Sequence, residues 1–245
     1  MGYLSRQATQ AKPTKFHLLI RRLWAKGSLI RIYTQNIDGL EAKVGLQTSY
    51  QIDPRNPPIC VALHGLITHL CCSGCANIFT TQAYHSHLDK GSFPECPVCR
   101  ENSLKRIQDN KRATPIPRLQ TKVILYGDTH PQGEEIADLY KRDIGVKCNP
   151  KQDLKVLLVV GTSLKISSVV SMIKEFSKNP GWDLIYINQS PPISATANVF
   201  GGVVQGDCQE FADAVLRRMG LNSAIDEDEV NEERLDSRES WMWWS

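Results

Sequence analysis

The sequence contains no apolar run that approaches the roughly 20 residues needed for a membrane-spanning helix. The N-terminal stretch, MGYLSRQATQAKPTK, lacks the apolar core of a secretory signal, so we expect no export. The formal net charge is only +3, too small to indicate nucleic acid as a partner. Hydrophobic residues make up 41% and charged residues 22% of the 245, which is ordinary for a globular protein. That length suits one large domain or two small ones.

Eight cysteines are many for such a chain, and four of them are paired by their spacing. Cys72 and Cys75 form one C-x-x-C pair, and Cys96 and Cys99 form a second pair at the separation of a zinc ribbon. Without a secretion signal, metal binding is a better interpretation than disulfides. Four thiolates leave no coordination position open, so we predict a structural zinc site.

The other cysteines have simpler interpretations. Cys71 is an alternative first ligand, but the two-residue gap between Cys72 and Cys75 matches that of the second pair, which favours Cys72. Cys60, Cys148 and Cys208 are interpreted as small buried residues.

Short apolar runs that end in glycine or small polar residues alternate with helical patterns along the chain. The runs suit strands of a parallel sheet and span residues 29–34, 61–64, 123–126, 154–160, 184–188 and 199–204. The helical patterns span residues 14–26, 133–144, 167–178 and 208–219. This alternation predicts an α/β fold with a Rossmann-like, doubly wound parallel sheet.

Two changes of composition suggest the domain organisation. Residues 72–118 hold the cysteine pairs and end in a segment rich in Lys, Arg and Pro, 105–118, which indicates a small zinc-binding module inserted into a larger domain. We therefore predict a Rossmann-like domain in two parts, 1–71 and 119–220. Residues 221–245 are acidic and end in tryptophans, and we expect them to form a disordered tail.

Polar residues directly follow the first predicted strand, namely Gln35, Asn36 and, after Ile37, Asp38. The carboxyl ends of parallel strands face the crevice where α/β folds bind ligands, and side-chain amides can pair with ribose hydroxyls or a carboxamide. A simple turn is the competing interpretation, because Asn-x-Asp-Gly is frequent in turns. His64 ends the next strand, where it could serve as a general base or have only a structural role.

A second set of polar residues follows later strands. Gly161, Thr162 and Ser163 lie between a buried strand and a helix, an arrangement that can hold phosphate with backbone N–H groups. Asn188 ends another strand, and Cys208 opens the last helix after a Gly-Asp pair.

In combination these motifs resemble the sirtuin family, nearest its fungal nuclear branch, from about Thr14 to Gly220. The matching motifs are TQNID at 34–38, HG at 64–65, the paired cysteines, YGD at 126–128, GTS at 161–163, IN at 187–188 and GDC at 206–208. The resemblance implies an NAD-dependent protein-lysine deacetylase that acts on histones, in the nucleus or otherwise in the cytoplasm. It also implies that the zinc is structural.

The resemblance further implies roles for individual residues. Nicotinamide leaves when the acetyl oxygen attacks the ribose, and the residue matching His64 then takes a proton from a ribose hydroxyl. Residues matching Gln35 and Asn36 hold the ribose and a water, and those matching Ile37 and Asp38 hold the nicotinamide carboxamide. The other cofactor contacts match Gly161, Thr162, Ser163, Asn188 and Cys208. The segment that pairs with the substrate backbone as an added strand matches Ile124, Tyr126, Gly127 and Asp128.

The family's N-terminal signature comprises a central strand, a glycine-rich loop and an arginine that contacts NAD, and residues 1–13 do not match it. We therefore expect a truncated product whose sheet lacks its central strand and whose activity is low. Asp128 stands where the family usually has Glu, and Ser190 where it often has an acidic residue.

Two other functions are weighed against the deacetylase. A non-catalytic, zinc-containing fragment could bind protein partners through the basic segment 105–118. Nucleic-acid binding by the zinc module ranks last, because the cysteine pairs lack interleaved aromatic residues and the net charge is modest. We expect no membrane partner and no direct contact with nucleic acid.

Overall fold

The structure is a computed structural model that describes residues 1–125, 128, 130–147 and 154–221. It divides into two compact units. The first unit comprises Met1–Lys12, Ile32–Ile52 and Pro58–Pro131, and the second comprises Pro13–Arg31, Asp53–Pro57 and Gln132–Ser245. The domain boundaries expected from the sequence stay a prediction. Tyr126, Gly127 and Cys148 lie outside the described residues, as does nearly all of the acidic tail.

The secondary structure alternates between strands and helices for most of the chain. The strands are β1 Ile32–Thr34, β2 Thr48–Ser49, β3 Cys60–Ala62, β4 Gly65–Cys72, β5 Ile78–Thr80, β6 Leu119–Val123, β7 Lys155–Val160, β8 Trp182–Asn188 and β9 Gly202–Gln205. The helices are α1 Gly2–Gln10, α2 Lys15–Ala25, α3 Leu40–Lys43, α4 His85–Asp89, α5 Pro97–Gln108, α6 Gly133–Ile144, α7 Ser167–Ser177 and α8 Cys208–Arg218. Among the described residues, no helix combines the length and the apolar character needed to cross a bilayer.

The first unit contains one parallel sheet and one antiparallel sheet. The parallel sheet has the order β1–β3–β2, with Thr34 opposite Ala62 in its register. All three residues of β3 are fully buried, which accounts for the uninterrupted apolar character of that run. The antiparallel sheet has the order β5–β4–β6. Its strand β4 leads from the parallel sheet into the paired cysteines.

Helix α1 packs within the first unit, although the sequence gives little indication of it. Its buried face consists of small residues, Gly2, Ser5 and Ala8. The hydroxyl of Ser5 donates a 2.7 Å hydrogen bond to Oγ1 of Thr81. Nζ of Lys43 donates to carbonyl oxygens at the carboxyl end of the helix, where a cation is favoured by the helix dipole.

The second unit is built on the parallel sheet β7–β8–β9. Helices α2 and α8 share a core of Leu19, Ala212 and Leu216. Helix α7 packs on β8, where the rings of Phe176 and Trp182 meet edge to face at 4.9 Å. The predicted α/β class with parallel strands is thus confirmed. The described parallel strands form two three-stranded sheets, one within each unit, rather than a single sheet.

Candidate functional site

The predicted base His64 lies at the carboxyl edge of the parallel sheet in the first unit. The end of β1 is joined to the residue before His64 by a 2.9 Å bond from the Leu63 N–H to the Thr34 carbonyl. Nδ1 of His64 lies 3.1 Å from the carbonyl oxygen of Gln35. Because a carbonyl oxygen can only accept, Nδ1 carries the proton and donates it to this bond. The neutral ring then has Nε2 as an unprotonated acceptor, the form that a general base requires.

The backbone around His64 is fixed by a close approach of β6. The N–H of Ile124 donates a 3.0 Å bond to the His64 carbonyl oxygen. The next residue, Gly65, has a φ of 79°, and a Cβ added there would overlap the carbonyl oxygen of Lys122. Glycine is therefore required at this position for both its backbone conformation and its lack of a side chain. The predicted substrate-binding residue Ile124 is thereby held directly beside the predicted base.

The loop after β1 combines a turn with exposed polar groups. The Asn36 N–H donates to Oγ1 of buried Thr34 at 3.2 Å, while the Asn36 side chain is exposed. One carboxylate oxygen of Asp38 accepts a 3.1 Å bond from the Leu40 N–H. The Ile37 carbonyl accepts a 2.8 Å bond from the Ile67 N–H. The turn interpretation therefore holds for Asp38. The other two hydrogen bonds attach the loop to Thr34 of β1 and to Ile67 of β4.

The segment predicted to bind the substrate continues past Ile124. The Leu125 N–H donates to Oδ2 of Asp128 at 3.3 Å, and the Asp128 N–H donates to the Leu125 carbonyl at 3.0 Å. Leu125 and Asp128 are thus joined by two hydrogen bonds. Leu125 is 62% exposed.

The second set of predicted cofactor residues meets at the carboxyl edge of the sheet in the second unit. Val160 and Ile187 are opposite each other in the parallel register, and the Gly161 N–H donates to the Ile187 carbonyl at 3.0 Å. On the other side of β8, the Gly206 N–H donates to the Asn188 carbonyl at 3.0 Å. Gly161, Asn188 and the loop before α8 are therefore neighbours.

Side-chain hydrogen bonds order this edge further. Asp207 caps α8, with its Oδ1 accepting a 2.6 Å bond from the Gln209 N–H, and Cys208 is the first residue of that helix. Oγ1 of Thr162 accepts from the Leu164 N–H at 3.3 Å. Thr162 and Cys208 are half-buried, and Ser163 is exposed. These residues belong to the second unit, whereas His64 and the loop after β1 belong to the first.

The four paired cysteines meet in the first unit. Cys72 ends β4, Cys75 lies in the turn that follows, and Cys96 and Cys99 flank the start of α5. Their four sulfur atoms all lie within 4.8 Å of one another. Cys71 points elsewhere, with its thiol near the carbonyl oxygens of Cys72 and Ala76 at 3.6 Å. The preference for Cys72 over Cys71 is therefore supported.

The cluster fits a zinc ion. The Cys72 and Cys99 sulfurs are 3.7 Å apart and those of Cys75 and Cys96 are 3.6 Å apart. A tetrahedral ion with Zn–S bonds of about 2.3 Å places its sulfurs roughly 3.8 Å apart. The Gly74 N–H donates a 3.3 Å hydrogen bond to the Cys72 sulfur.

The metal-free thiols differ in acidity. Hydrogen bonds from Asn77, first from its backbone N–H, lower the pKa of Cys75 to about 6. Burial, with the neighbouring cysteines, raises the pKa of Cys99 to about 12. A bound zinc ion would keep all four cysteines deprotonated as thiolates, because its charge outweighs these local effects on the pKa values.

The sequence was compared with models of known protein families. The family model for the Sir2 family matches residues 3–168, more than half of the chain. The chain belongs to the Sir2 family, the sirtuins.

Several curated members of the Sir2 family are fungal. The chain is 34% identical over 223 residues to the NAD-dependent histone deacetylase HST4 of Saccharomyces cerevisiae, covering 85% of this chain and 58% of that protein. It is 36% identical over 216 residues to the HST3 deacetylase of the same yeast, covering 82% and 47%. It is 35% identical over 209 residues to the NAD-dependent protein deacetylase hst4 of Schizosaccharomyces pombe, covering 82% and 48%. The chain thus spans about half the length of the curated relatives it matches.

Solved Sir2 structures share the fold. Sir2 with a p53 peptide and NAD+ matches with a TM-score of 0.61 at 21% identity, covering 87% of this chain and 72% of that one. Sir2 bound to an acetylated peptide matches with a TM-score of 0.61 at 20% identity, covering 88% and 74%. The expected resemblance to fungal sirtuins is confirmed, and the likeness to solved structures supports the fold.

One residue beside the predicted cofactor residues of the second unit was not predicted from the sequence. Tyr186 lies two positions before Asn188 on β8, and its hydroxyl bonds both the Thr162 carbonyl and the Asn188 amide. The sequence did contain an indication that Tyr186 lies beside Asn188, because residues at i and i+2 of a strand share one face. An aromatic residue in an apolar run is usually assigned to the core, and Tyr186 is indeed buried.

Proposed function

We propose that this chain carries out NAD-dependent deacetylation of lysine side chains in proteins, with histones as the substrate. The relatives described above are NAD-dependent histone or protein deacetylases, at 34–36% identity. The observation that carries the proposal is the 3.1 Å contact between Nδ1 of His64 and the Gln35 carbonyl, which leaves Nε2 as a base at a sheet edge.

NAD, when bound, would supply the ribose carbon that takes the acyl oxygen as nicotinamide departs. His64 would accept the proton of a ribose hydroxyl at Nε2. The exposed amide of Asn36 would position a water or that hydroxyl, together with Gln35. One oxygen of Asp38 is engaged by the Leu40 N–H, so the other would accept from the nicotinamide carboxamide beside Ile37.

The second unit, taken by itself, would hold a phosphate-bearing ligand. Gly161 has a φ of 63° and open space where a Cβ would stand, so a ligand could approach its backbone closely. Thr162 and Ser163 add hydroxyl groups to the same turn. Cys208 begins α8, where the N-terminal end of the helix favours negative charge. These features support a phosphate-bearing ligand at this edge.

The substrate peptide would add as a strand beside Ile124, along the proposed segment that also includes Tyr126, Gly127 and Asp128. Ile124 already joins the His64 carbonyl by a backbone hydrogen bond, so a peptide there would lie next to the base. Exposed Leu125 offers apolar surface at the same place.

The four-cysteine site would hold zinc in a structural role, since its four thiolates leave no position for a reacting water. We propose a nuclear location associated with chromatin, because the relatives include histone deacetylases. The same relatives favour the deacetylase over a non-catalytic zinc-containing fragment.

The decisive variant is His64→Ala, tested with an acetylated histone peptide in the presence and absence of NAD. Turnover should require NAD and should fall by roughly 10²–10⁴-fold in the variant, as expected for loss of a general base. Binding of the peptide should persist, because the backbone bond from Ile124 to residue 64 does not involve the imidazole.

His87→Ala is the matched control, because His87 is exposed on α4, remote in sequence from the strand ends. It should leave turnover within about twofold of the parent. Deacetylation without NAD, or a His64→Ala variant as active as the parent, would contradict the proposed function.

A further inference from the structure

Tyr186 occupies an unusual position in the sheet of the second unit. Its ring is buried in β8, 1% exposed, and packs against Phe200 with ring centroids 5.2 Å apart. Its hydroxyl lies 2.8 Å from the Thr162 carbonyl oxygen and 2.9 Å from Nδ2 of Asn188. One buried hydroxyl therefore joins two of the residues that the proposed function assigns to the cofactor.

The direction of each hydrogen bond follows from the chemistry of the groups. The Thr162 carbonyl can only accept, so the single Tyr186 proton is donated to it. The Tyr186 oxygen must then accept from Asn188, which fixes that amide with its NH₂ towards the tyrosine. The second N–H of the amide faces the Ser190 carbonyl at 3.3 Å, another group that can only accept.

The amide of Asn188 is thus oriented by its neighbours. Both N–H groups are directed at partners, and among the described residues Oδ1 of Asn188 has no hydrogen-bond partner. A ligand at this sheet edge would therefore meet an acceptor, which suits a group that donates a proton, such as a sugar hydroxyl. A flipped amide would instead present its NH₂ and suit an acceptor.

We propose that Tyr186 is a positioning residue for the cofactor, acting through the Thr162 carbonyl and the Asn188 amide so that Oδ1 accepts from a ligand hydroxyl. This inference rests on the proposed function, because it assumes that NAD is the ligand of this edge. Tyr186 itself would not touch the ligand, and Oδ1 is the atom of Asn188 that would contact it.

Tyr186→Phe tests the proposal, because phenylalanine keeps the buried ring and removes only the hydroxyl. We expect NAD affinity, measured by calorimetry, to weaken roughly 2- to 10-fold, the range of one net hydrogen bond. The KM for NAD should rise by the same factor, while kcat and the KM for the acetylated peptide stay within about twofold. A merely structural role would instead lower the melting temperature and shift all three kinetic parameters.

Two further variants isolate the route of the effect. In an Asn188→Ala background, Tyr186→Phe should weaken NAD binding by less than about twofold, because the oriented amide is already absent. Tyr140→Phe removes a hydroxyl from α6 that takes no part in this network, and it should leave NAD affinity unchanged.

A readout without NAD is given by the Asn188 side-chain amide in NMR spectra. Its protons should exchange with solvent faster in Tyr186→Phe than in the parent or in Tyr140→Phe. Unchanged exchange, or NAD affinity equal to the parent's, would overturn the role of Tyr186 and leave the proposed function intact. A parent chain that shows no NAD binding would overturn the proposed function and this inference together, and the two failures are thereby distinguished.

Discussion

In the four-cysteine cluster every thiol has the other three as neighbours, whereas at the edge of the first unit's parallel sheet the side chains of His64 and Asp38 are held by main-chain groups. The cluster draws its sulfurs from the end of β4 and the start of α5, all within 4.8 Å. His64 is held by the Gln35 carbonyl, and Asp38 by the Leu40 N–H. Removal of one thiol should therefore unfold the residues around the cluster. Removal of one side chain at the sheet edge should lower catalytic activity and leave the backbone structure unchanged.

Cys96→Ser should give the largest effect on stability. Cys96 is fully buried in the core that it shares with Leu70 and Leu119. Structural zinc sites contribute on the order of 10 kcal/mol of binding free energy to folding, so the bound zinc should fall from about one per chain to none. Metal analysis of the purified protein and limited proteolysis of residues 72–118 would measure the two losses.

Cys71→Ser is the matched control, since Cys71 is buried beside the cluster and its sulfur is directed at carbonyl groups. That variant should retain its zinc. A Cys96→Ser protein that keeps both metal and protease resistance would contradict the expectation that loss of one thiol unfolds the residues around the cluster.

Gly65→Ala tests how far the backbone, rather than a side chain, builds the His64 edge. The left-handed φ of 79° costs about 1–2 kcal/mol for alanine, and the overlap with the Lys122 carbonyl adds to it. We expect a total loss of about 3 kcal/mol in the free energy of unfolding, measured by urea denaturation.

Gly91→Ala separates the two contributions. Gly91 has a similar φ of 67°, with nothing within 4 Å of the added Cβ, so it should lose only about 1 kcal/mol. Equal losses in the two variants would show that the close approach of β6 to Gly65 contributes nothing.

His69→Gln should give the smallest effect, and it tests a partly buried histidine of β4. Burial in β4 lowers the pKa of His69 below its usual 6.5. The folded protein therefore prefers the neutral ring, and this contribution to stability is present above pH 6.5 and is lost as the pH falls through the lowered pKa.

Because glutamine does not titrate, His69→Gln should show a smaller drop in melting temperature between pH 7 and pH 5 than the parent. His87→Gln, on an exposed position, should follow the parent. A His69→Gln protein with the parent's full pH dependence would mean that another group carries the acid sensitivity of this unit.

The sequence predicted those features whose determinants are local. The spacing of Cys72, Cys75, Cys96 and Cys99 was sufficient for the metal cluster, because each ligand lies within one short segment. Helices α2, α6, α7 and α8 begin and end within about two residues of their predicted bounds, since each has an apolar face of helical period.

The features that were missed depend on distant contacts. The apolar run 29–34 becomes a strand only at Ile32–Thr34, because only these residues pair with β3, and Arg31 just before them forms a 2.7 Å ion pair with Asp143 of α6. The prediction of a parallel strand at 123–126 was wrong, because the strand there is β6, Leu119–Val123, which pairs antiparallel with β4. The face of α1 contains small residues, which give no apolar period to detect.

At the candidate site, the sequence supplied the residues but not their orientations. The proton position on His64 depends on the Gln35 carbonyl, and the orientation of the Asn188 amide depends on Tyr186. The first is not encoded in spacing, because Gln35 follows β1 and His64 follows β3, two strands that are distant in the chain and adjacent in the sheet. The second has the i, i+2 spacing of one strand, but that spacing does not show that the tyrosine hydroxyl also bonds the Thr162 carbonyl.

The most direct test is to measure the ratio of nicotinamide released to acetyl groups removed. The protein would be incubated with an acetylated histone peptide and NAD, and the nicotinamide released would be counted against the acetyl groups removed. If the polar strand ends form an NAD-consuming deacetylase site, one nicotinamide should appear for each lysine deacetylated, and formation of the deacetylated peptide should be lost in His64→Ala. Deacetylated peptide that forms without nicotinamide would contradict the account.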